Sequence, residues 1–535
     1  MAESSVPNTA APGGWFSRAM RQFRPLHEHS AFSATLLLMS TVLLSRIMGF
    51  IREVYIARTF GAGWKTDAFY AAFTIPDWLN YIVAGGTASI TFVSIYSKFL
   101  AEKKEDEAQK TFSVILTVMG AAMVGGILLG EVFTSQLVRL MFGNKFSLEQ
   151  FDLCVFLTRI LLPAQFFFYA GGVVSAVLLA RRLFLLPALG PLVYNGGIIF
   201  GGLLFSHFLG ISSLAYGAVA GAFIGIFLIN AIGAARVGAW YRPSFDTKNE
   251  AFRKWIKLSI PLMLGVSLVS VDDWFLRYFA AGSLGDISRL NYAKRLFQVP
   301  VSILGQAAGQ ASYPFFARLF EEKRVQELSN TVNGSVYRAV AASLLLASFM
   351  MSAALPLIDI VYHHGHFTAS DAQETSVYFF WFSISLAFWA AQALYTRAYY
   401  ASGNTLTPMI ASSLVTLASL PAYKILFQLH GATGLAIASD VGIAANCITM
   451  AILVHRQKLV LMNQLNWAEL GKSGLTAIVG GILSYKVAVG LMTGGGVVAD
   501  LKVLFIAGLT WAAASAAGLW LTRSTLLADL RKKSS

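Results

Sequence analysis

The chain has 535 residues, 56% of them hydrophobic and 13% charged, with a mean hydropathy of +0.62 and a formal net charge of +14. A soluble protein carries about 25% charged residues, so the composition argues against a soluble globular domain. The two cysteines, Cys154 and Cys447, lie in apolar runs without partners at metal-ligand or redox spacing, and read as small packing residues.

Residues 1–30 lack an apolar h-region, so no cleavable signal peptide is expected. Trp15, Phe16, Met20 and Phe23 interleave with Arg18, Arg21 and Arg24. That pattern suits a short helix on an anionic membrane surface, or a disordered basic tail. Beyond it, apolar runs of bilayer-spanning length recur about fourteen times. They lie near 32–58, 70–97, 112–133, 153–180, 185–207, 212–236, 256–280, 290–315, 333–361, 376–400, 406–428, 432–455, 470–491 and 500–522. The expected fold class is an all-α polytopic membrane protein.

The first span carries the most informative stretch, SRIMGFIREVYIARTFGAGWKTDAF at 45–69. It sets Arg46, Arg52 and Arg58 in or at the edge of an apolar segment. A cation at the bilayer centre costs roughly 2.5 to 3.5 kcal/mol on insertion scales, so such residues face a protein interior or a watery cavity. Arg58, near the segment end, can instead snorkel to the headgroups. Gly61-Ala62-Gly63 is expected to end the helix, and Asp67 to open the next one near an N-cap position. Pro76 in the second span and Pro300 in the eighth each permit a kink.

Most of the 41 Lys and Arg fall on one side when alternate loops are assigned to two compartments. The basic balance is therefore a topology signal that places both termini in the cytoplasm. It is not a nucleic-acid footprint, and no nucleic-acid partner is expected.

Residues 97–111, SKFLAEKKEDEAQKT, match 317–331, ARLFEEKRVQELSNT, at an offset of 220. Glu102 meets Glu322, Lys104 meets Arg324 and Thr111 meets Thr331. Each segment follows the second span of its half, which reads as an internal repeat of six helices. Six is even, so the repeats are parallel, with a binding site expected between lobes at mid-membrane. The organisation is then 1–30 as a cytoplasmic segment, 31–250 as an N-lobe and 251–458 as a C-lobe. Residues 459–535 add two spans and a basic C-terminus.

The same offset maps Arg52 and Glu53 onto Asp272 and Asp273, while NYAKRLFQVP places Lys294 and Arg295 in the eighth span. A cleft lined by Arg46, Arg52, Lys294 and Arg295, with Asp272 and Asp273 nearby, would be net cationic but internally compensated, and suited to an anionic headgroup. Asp272 and Asp273 are candidates for a coupling cation, Na⁺ or H⁺, or for ion pairing with Arg277 one turn on. Asp440 is a weaker candidate. The histidines 363, 364 and 366 lack a spaced carboxylate or cysteine set and read as a surface loop, not a metal site. The glycines at 194–202 and 493–496 match no phosphate loop and read as helix-packing residues.

The stretch at 45–69 resembles the signature of the MurJ (MviN) family of bacterial lipid II flippases, within the wider group that holds MATE exporters and Wzx polysaccharide flippases. YAKRLFQVPVSILG at 292–305 and YHHGHFTASDA at 362–372 resemble two further motifs of that family. The resemblance implies two six-helix lobes plus two extra helices. It implies a carrier that moves undecaprenyl-diphosphate-linked disaccharide-pentapeptide to the outer leaflet of the bacterial inner membrane for cell-wall synthesis, with the cell-wall machinery as a partner. It assigns Arg46, Arg52 and Arg295 to the diphosphate, gives Asp67 the role of an essential aspartate, and makes the last two spans a groove for the lipid tail. Many members carry arginine where this chain has Asn80, an acid where it has Gly85, and proline where it has Ser94. Lys294, where aspartate or asparagine is common, would replace the cation absent at Asn80. No cofactor is implied beyond coupling to the membrane potential, Na⁺ or H⁺.

Two other classes fit the composition. An enzyme acting on the same lipid needs a sizeable extramembrane segment, and the loops here are short, so a non-enzyme is expected. A flippase for another polyprenyl-diphosphate glycan, or a cation-coupled MATE-type exporter, is the alternative carrier.

Overall fold

The computed structural model describes residues 31–83, 87–264, 268–492 and 496–526. The basic aromatic segment before Ala31, Gly85, most of the 493–496 glycine run and the cluster Arg531 to Lys533 lie outside the described residues. Within them the regular structure is helical throughout, as the apolar pattern requires. Eight helices there are long and apolar enough to cross a bilayer, and nine if a pair bent by 41° counts as one.

Helix α1, Ala31–Phe60, ends at Gly61, whose φ of +68° is the left-handed C-terminal cap that glycine adopts without strain. A Cβ there would also fall 2.5 Å from the His366 carbonyl oxygen, so the close approach of backbone to backbone requires glycine. The second expected span is three pieces: α2 (Trp64–Ala72), α3 (Thr74–Val83) and α4 (Thr87–Ala101). The break at Phe73 puts Pro76 in the first turn of α3, where its missing N–H has no helical partner to lose. There follow α5 (Glu105–Phe142), α6 (Leu148–Leu161), α7 (Ala164–Ala180), α8 (Leu185–Leu209), α9 (Ser212–Gly221), a π-helical turn at Ala222–Leu228 and α10 (Ile229–Arg236).

The second half runs through α11 (Glu250–Leu264), α12 (Leu268–Ala280) and α13 (Asp286–Val301). Pro300 closes α13, and a π-helical turn, Ser302–Ala307, absorbs the disturbed ladder before α14 (Ala308–Glu321). The remaining helices are α15 (Val325–Ser352), α16 (Ala354–Tyr362), α17 (Ala369–Ile384), α18 (Leu386–Ala401), α19 (Leu406–Arg456, bent at Gly431), α20 (Trp467–Leu491) and α21 (Val497–Leu521).

The repeat read from the loops recurs in the backbone. Lys103 and Lys323, 220 apart, both take a left-handed conformation, at φ +57° and +58°. Gly238 and Lys458 are a second left-handed pair at the same spacing. Gly210 (φ 53°, ψ −138°) and Gly431 (φ 58°, ψ −141°) share an unusual bend. The loop charges pair alike too: Lys104 with Glu102 and Arg324 with Glu322, each at 2.8 Å. Hydrogen bonds from Arg318 and Arg324 hold the exposed Glu322 carboxyl below its usual range, as the bond from Lys104 does for Glu102.

Packing divides the chain into two compact units that do not follow the expected boundary near residue 250. One holds the chain up to Arg52, Ile75–Ser135 and Phe156–Leu264. The other holds Glu53–Thr74, Gln136–Val155 and the chain from Gly265 onward. In the first unit α8 and α9 meet backbone to backbone, since a Cβ on Gly197 would lie 2.7 Å from the Gly217 oxygen. The extended segment after α10 lies along α5: the N–H groups of Trp240, Arg242 and Ser244 donate to the side chains of Gln109, Ser113 and Thr117 at 3.4, 3.1 and 3.1 Å. In the second unit α20 packs on α15 and α21. Glu469, buried at the start of α20, accepts from Ser524 Oγ (2.7 Å) and the Thr525 N–H (3.0 Å).

Candidate functional site

In the first unit, Arg52 Nη1 donates to Asn195 Oδ1 at 2.9 Å. The Asn195 amide is itself oriented, its Nδ2 donating at 2.9 Å to the Pro191 carbonyl within α8. A planar guanidinium is thus positioned by a neutral acceptor that adds no opposing charge. Gly49, three residues before Arg52, faces the same amide, and a Cβ there would reach it only at 3.8 Å. Arg46, a turn and a half earlier, is exposed. Asn80 Nδ2 donates to Gln165 Oε1 at 2.8 Å, so the position where the resemblance led arginine to be expected is here half of an amide pair.

In the second unit, the segment Glu53–Thr74 is held by its polar groups. Asp67 does not cap its own helix, which opens at Trp64 behind Gly63. Its carboxylate caps α13 instead, accepting from the Gly285 N–H (2.6 Å), the Ser288 N–H (2.8 Å) and Ser288 Oγ (2.7 Å). That corrects the expected N-cap role. The first-turn N–H groups of α13 lack helical partners and attract negative charge, which this buried carboxylate supplies. Glu53, fully buried, accepts from Tyr70 Oη (2.5 Å) and Asn291 Nδ2 (3.0 Å). Tyr292 donates to the Gly61 carbonyl at 3.0 Å, and the His366 N–H to the Arg58 carbonyl at 2.9 Å. These bonds explain why this segment packs with the second unit.

Lys294 is placed differently from the headgroup cation expected of it. Its ammonium bridges Asp272 and Asp273, at 2.5 Å to Asp272 Oδ2, and its side chain is 8% exposed. Asp272 also accepts from Tyr423 and from Ser439 Oγ at 2.9 Å. Arg277, the partner expected for these carboxylates, donates to Thr74 Oγ1 at 3.4 Å and also interacts electrostatically with Asp273. A cation that satisfies two carboxylates in a buried network is a scaffold element. Arg295, the next residue, donates to Gln298 Oε1 at 3.1 Å and is half-buried. Asp440 is buried in α19 beside Ser439.

Sequence reasoning missed Asn195, Gln165, Ser288, Tyr423 and Arg289. The first two had a signal, a lone amide inside an apolar run. Arg289 pairs with Asp371 (2.8 Å), Glu374 (2.6 Å) and Asp286 (3.4 Å), tying α13 to α17. Asp371 meanwhile forms a capping box with Thr368. His363 pairs with Asp359 at 2.9 Å, and among the described residues no group of His, Cys, Asp and Glu is arranged to hold a metal ion.

Long apolar helices, several of them broken and carrying charged side chains, define a polytopic membrane protein. A solved inward-facing multidrug resistance MATE transporter of the MOP superfamily shares the backbone at a TM-score of 0.63 over 79% of this chain and 98% of its own, at 12% identity. A solved lipid II flippase MurJ in an inward closed conformation reaches 0.76 over 90% and 99%, at 22% identity. The chain belongs to the MurJ family: the family model described as lipid II flippase MurJ matches residues 56–504. Among its relatives are a probable lipid II flippase MurJ of Thermotoga maritima, 27% identical over 79% of this chain and 85% of its own. The lipid II flippase MurJ of Burkholderia cenocepacia is 27% identical over 80% and 84%.

Proposed function

We propose that the chain carries lipid II from the inner to the outer leaflet of a bacterial inner membrane, with both termini in the cytoplasm. Arg46, Arg52 and Arg295 engage the diphosphate, and access alternates between the two faces. The carrying observation is that the guanidiniums of Arg52 and Arg295 are each oriented by an amide, Asn195 and Gln298. That arrangement keeps forked donors aligned for phosphate oxygens. The hydrogen bonds of Asp67 to the start of α13 suit a contact that breaks as access alternates. The last two helices, α20 and α21, carry exposed apolar residues such as Ile478, Ile482, Phe505 and Leu509 that suit a lipid tail.

The driving force we assign to the membrane potential. Moving two negative charges outward across an inside-negative membrane is favoured by about 4.6 kcal/mol per 100 mV, at about 2.3 for each charge. A coupling Na⁺ at Asp272 and Asp273 would have to displace the Lys294 ammonium that already bridges them.

The test is flipping in proteoliposomes of lipid II, another polyprenyl-diphosphate glycan and an organic cation, beside complementation of a flippase-depleted strain. Arg52→Ala and Arg295→Ala are expected to abolish both lipid II flipping and complementation while the protein is still made. Full activity of either variant removes that arginine from the site. Transport of the organic cation in place of lipid II overturns the reading.

A further inference from the structure

The second unit carries an uncharged polar groove between α14 and α18, which fall in the eighth and tenth apolar runs of the sequence. The two helices run parallel in close contact. A Cβ on Gly305, in the π-helical turn before α14, would lie 3.4 Å from the Trp389 carbonyl oxygen, and one on Gly309 would lie 3.4 Å from that of Ala393. Each residue turns a helix by about 100°, so positions just after the contact on one parallel helix and just before it on the other face the same side. Gln306 and Gln310 follow the two glycines, and Tyr313 lies one turn on. Gln392 precedes Ala393, with Thr396 one turn on. These five side chains line one side of the helix pair, over about 10 Å of helix.

An amide side chain exposed to hydrocarbon forfeits its hydrogen bonds, so the exposed Gln306 and Gln310 mark a face that meets water or a ligand. Gln392 Nε2 donates to Thr396 Oγ1 at 3.2 Å, while Gln310 and Tyr313 have no hydrogen-bond partner among the described residues. Arg397 lies in the helix contact against Gly309, with its guanidinium over the Tyr400 ring at 5.5 Å. The five side chains of the stripe thus give a phosphate no cation and an organic cation no carboxylate. They give carboxamides, each with donor and acceptor side by side. An acetamido group carries the same pair and can bond both ends of one carboxamide at once. The Tyr313 ring adds an apolar face with a hydroxyl at its tip. A sugar without the acetamido group leaves those donors and acceptors to water.

We propose that this groove binds an N-acetylated sugar of the cargo head, with Gln306 and Gln310 bonding its acetamido group. The inference rests on the carrier reading above and extends it, giving the second unit a subsite that reads the sugar and not the diphosphate.

The experiment compares three probes on the full-length protein in micelles: undecaprenyl diphosphate bare, carrying N-acetylglucosamine, and carrying glucose. Relative affinities are read by native mass spectrometry, and lipid II flipping by the wild type is measured alongside. The N-acetylglucosamine probe is expected to bind about tenfold more tightly than the other two, the change that one or two neutral hydrogen bonds confer. Gln306→Leu/Gln310→Leu should bring the three probes level while the bare diphosphate binds as before. Ala311→Leu, exposed on the other side of α14, should keep the preference. Should the double glutamine variant bind no probe, Gln392→Leu/Thr396→Val on the facing helix decides, with the same levelling expected. Equal binding of the three probes by the wild type overturns the proposal, as does a glucose probe that matches N-acetylglucosamine or a preference that survives in the groove variants. Because flipping is measured separately, a wild type that flips lipid II without the preference removes the groove and leaves the carrier. The preference without flipping does the reverse.

Discussion

Replacing Lys294 with methionine separates a scaffold cation from a substrate-binding one. The ammonium bridges Asp272, whose side chain is 3% exposed, and Asp273, at 27%. Removing one partner from a buried ion pair costs about 3 to 5 kcal/mol, because the remaining charge is left without compensation. Asp272 keeps Tyr423 and Ser439 as donors, and Asp273 is partly exposed and keeps the charges of Arg295 and Arg277 nearby, so Lys294→Met is expected at the low end, about 3 kcal/mol. The assay is equilibrium unfolding in mixed micelles followed by tryptophan fluorescence, with Lys294→Met/Asp272→Asn/Asp273→Asn as the companion. The triple variant is expected to recover to within about 1 kcal/mol of the wild type, as neutral replacements of buried ion pairs commonly do. Flipping should follow stability in both variants. If Lys294→Met unfolds like the wild type yet cannot flip lipid II, Lys294 touches the cargo and the scaffold assignment is wrong.

Asp67→Asn keeps the shape but turns a charged acceptor into one that sets its own N–H₂ against the α13 terminus. About 2 kcal/mol of local stability should go, seen as faster hydrogen exchange at the Gly285 and Ser288 amides, and unchanged exchange would refute the capping role. Arg52→Lys removes the planar fork, and flipping should fall about tenfold or more; wild-type rates would mean that a point charge suffices. Thr117→Val deprives the Ser244 N–H of its acceptor, at about 1 kcal/mol, and limited proteolysis between 239 and 249 should quicken. Replacing Na⁺ by choline should leave wild-type flipping unchanged at a clamped potential, and dependence on Na⁺ would show that the Lys294 ammonium is displaceable.

What the sequence disclosed and what it hid divide along a physical line. Charges in apolar runs are conspicuous because the bilayer makes them costly, so Arg52, Asp67, Asp272 and Asp273 stood out. The repeat was visible because its loops reuse charge pairs, and the left-handed turns at Lys103 and Lys323 carry the same spacing. Partners were not visible. Asp67 meets Ser288 across 221 residues and Asp272 meets Tyr423 across 151, distances that local patterning does not span. Asp67 near a helix start fitted the rule for N-caps, and the rule named the right chemistry on the wrong helix. Asp272 and Asp273 were expected near Lys294, but the pattern did not show that its ammonium bridges both carboxylates.

The segment after α10 carries a metric consequence. Two residues of extended chain advance about 6.6 Å and four residues of helix about 6.0 Å, so donors at 240, 242 and 244 stay in step with acceptors at 109, 113 and 117, drifting only slightly. The two lattices act as a vernier. Deleting a single residue here would turn every donor to the opposite side, whereas deleting a pair merely shifts the ladder by one rung. Length variation in this connector should therefore come in even steps.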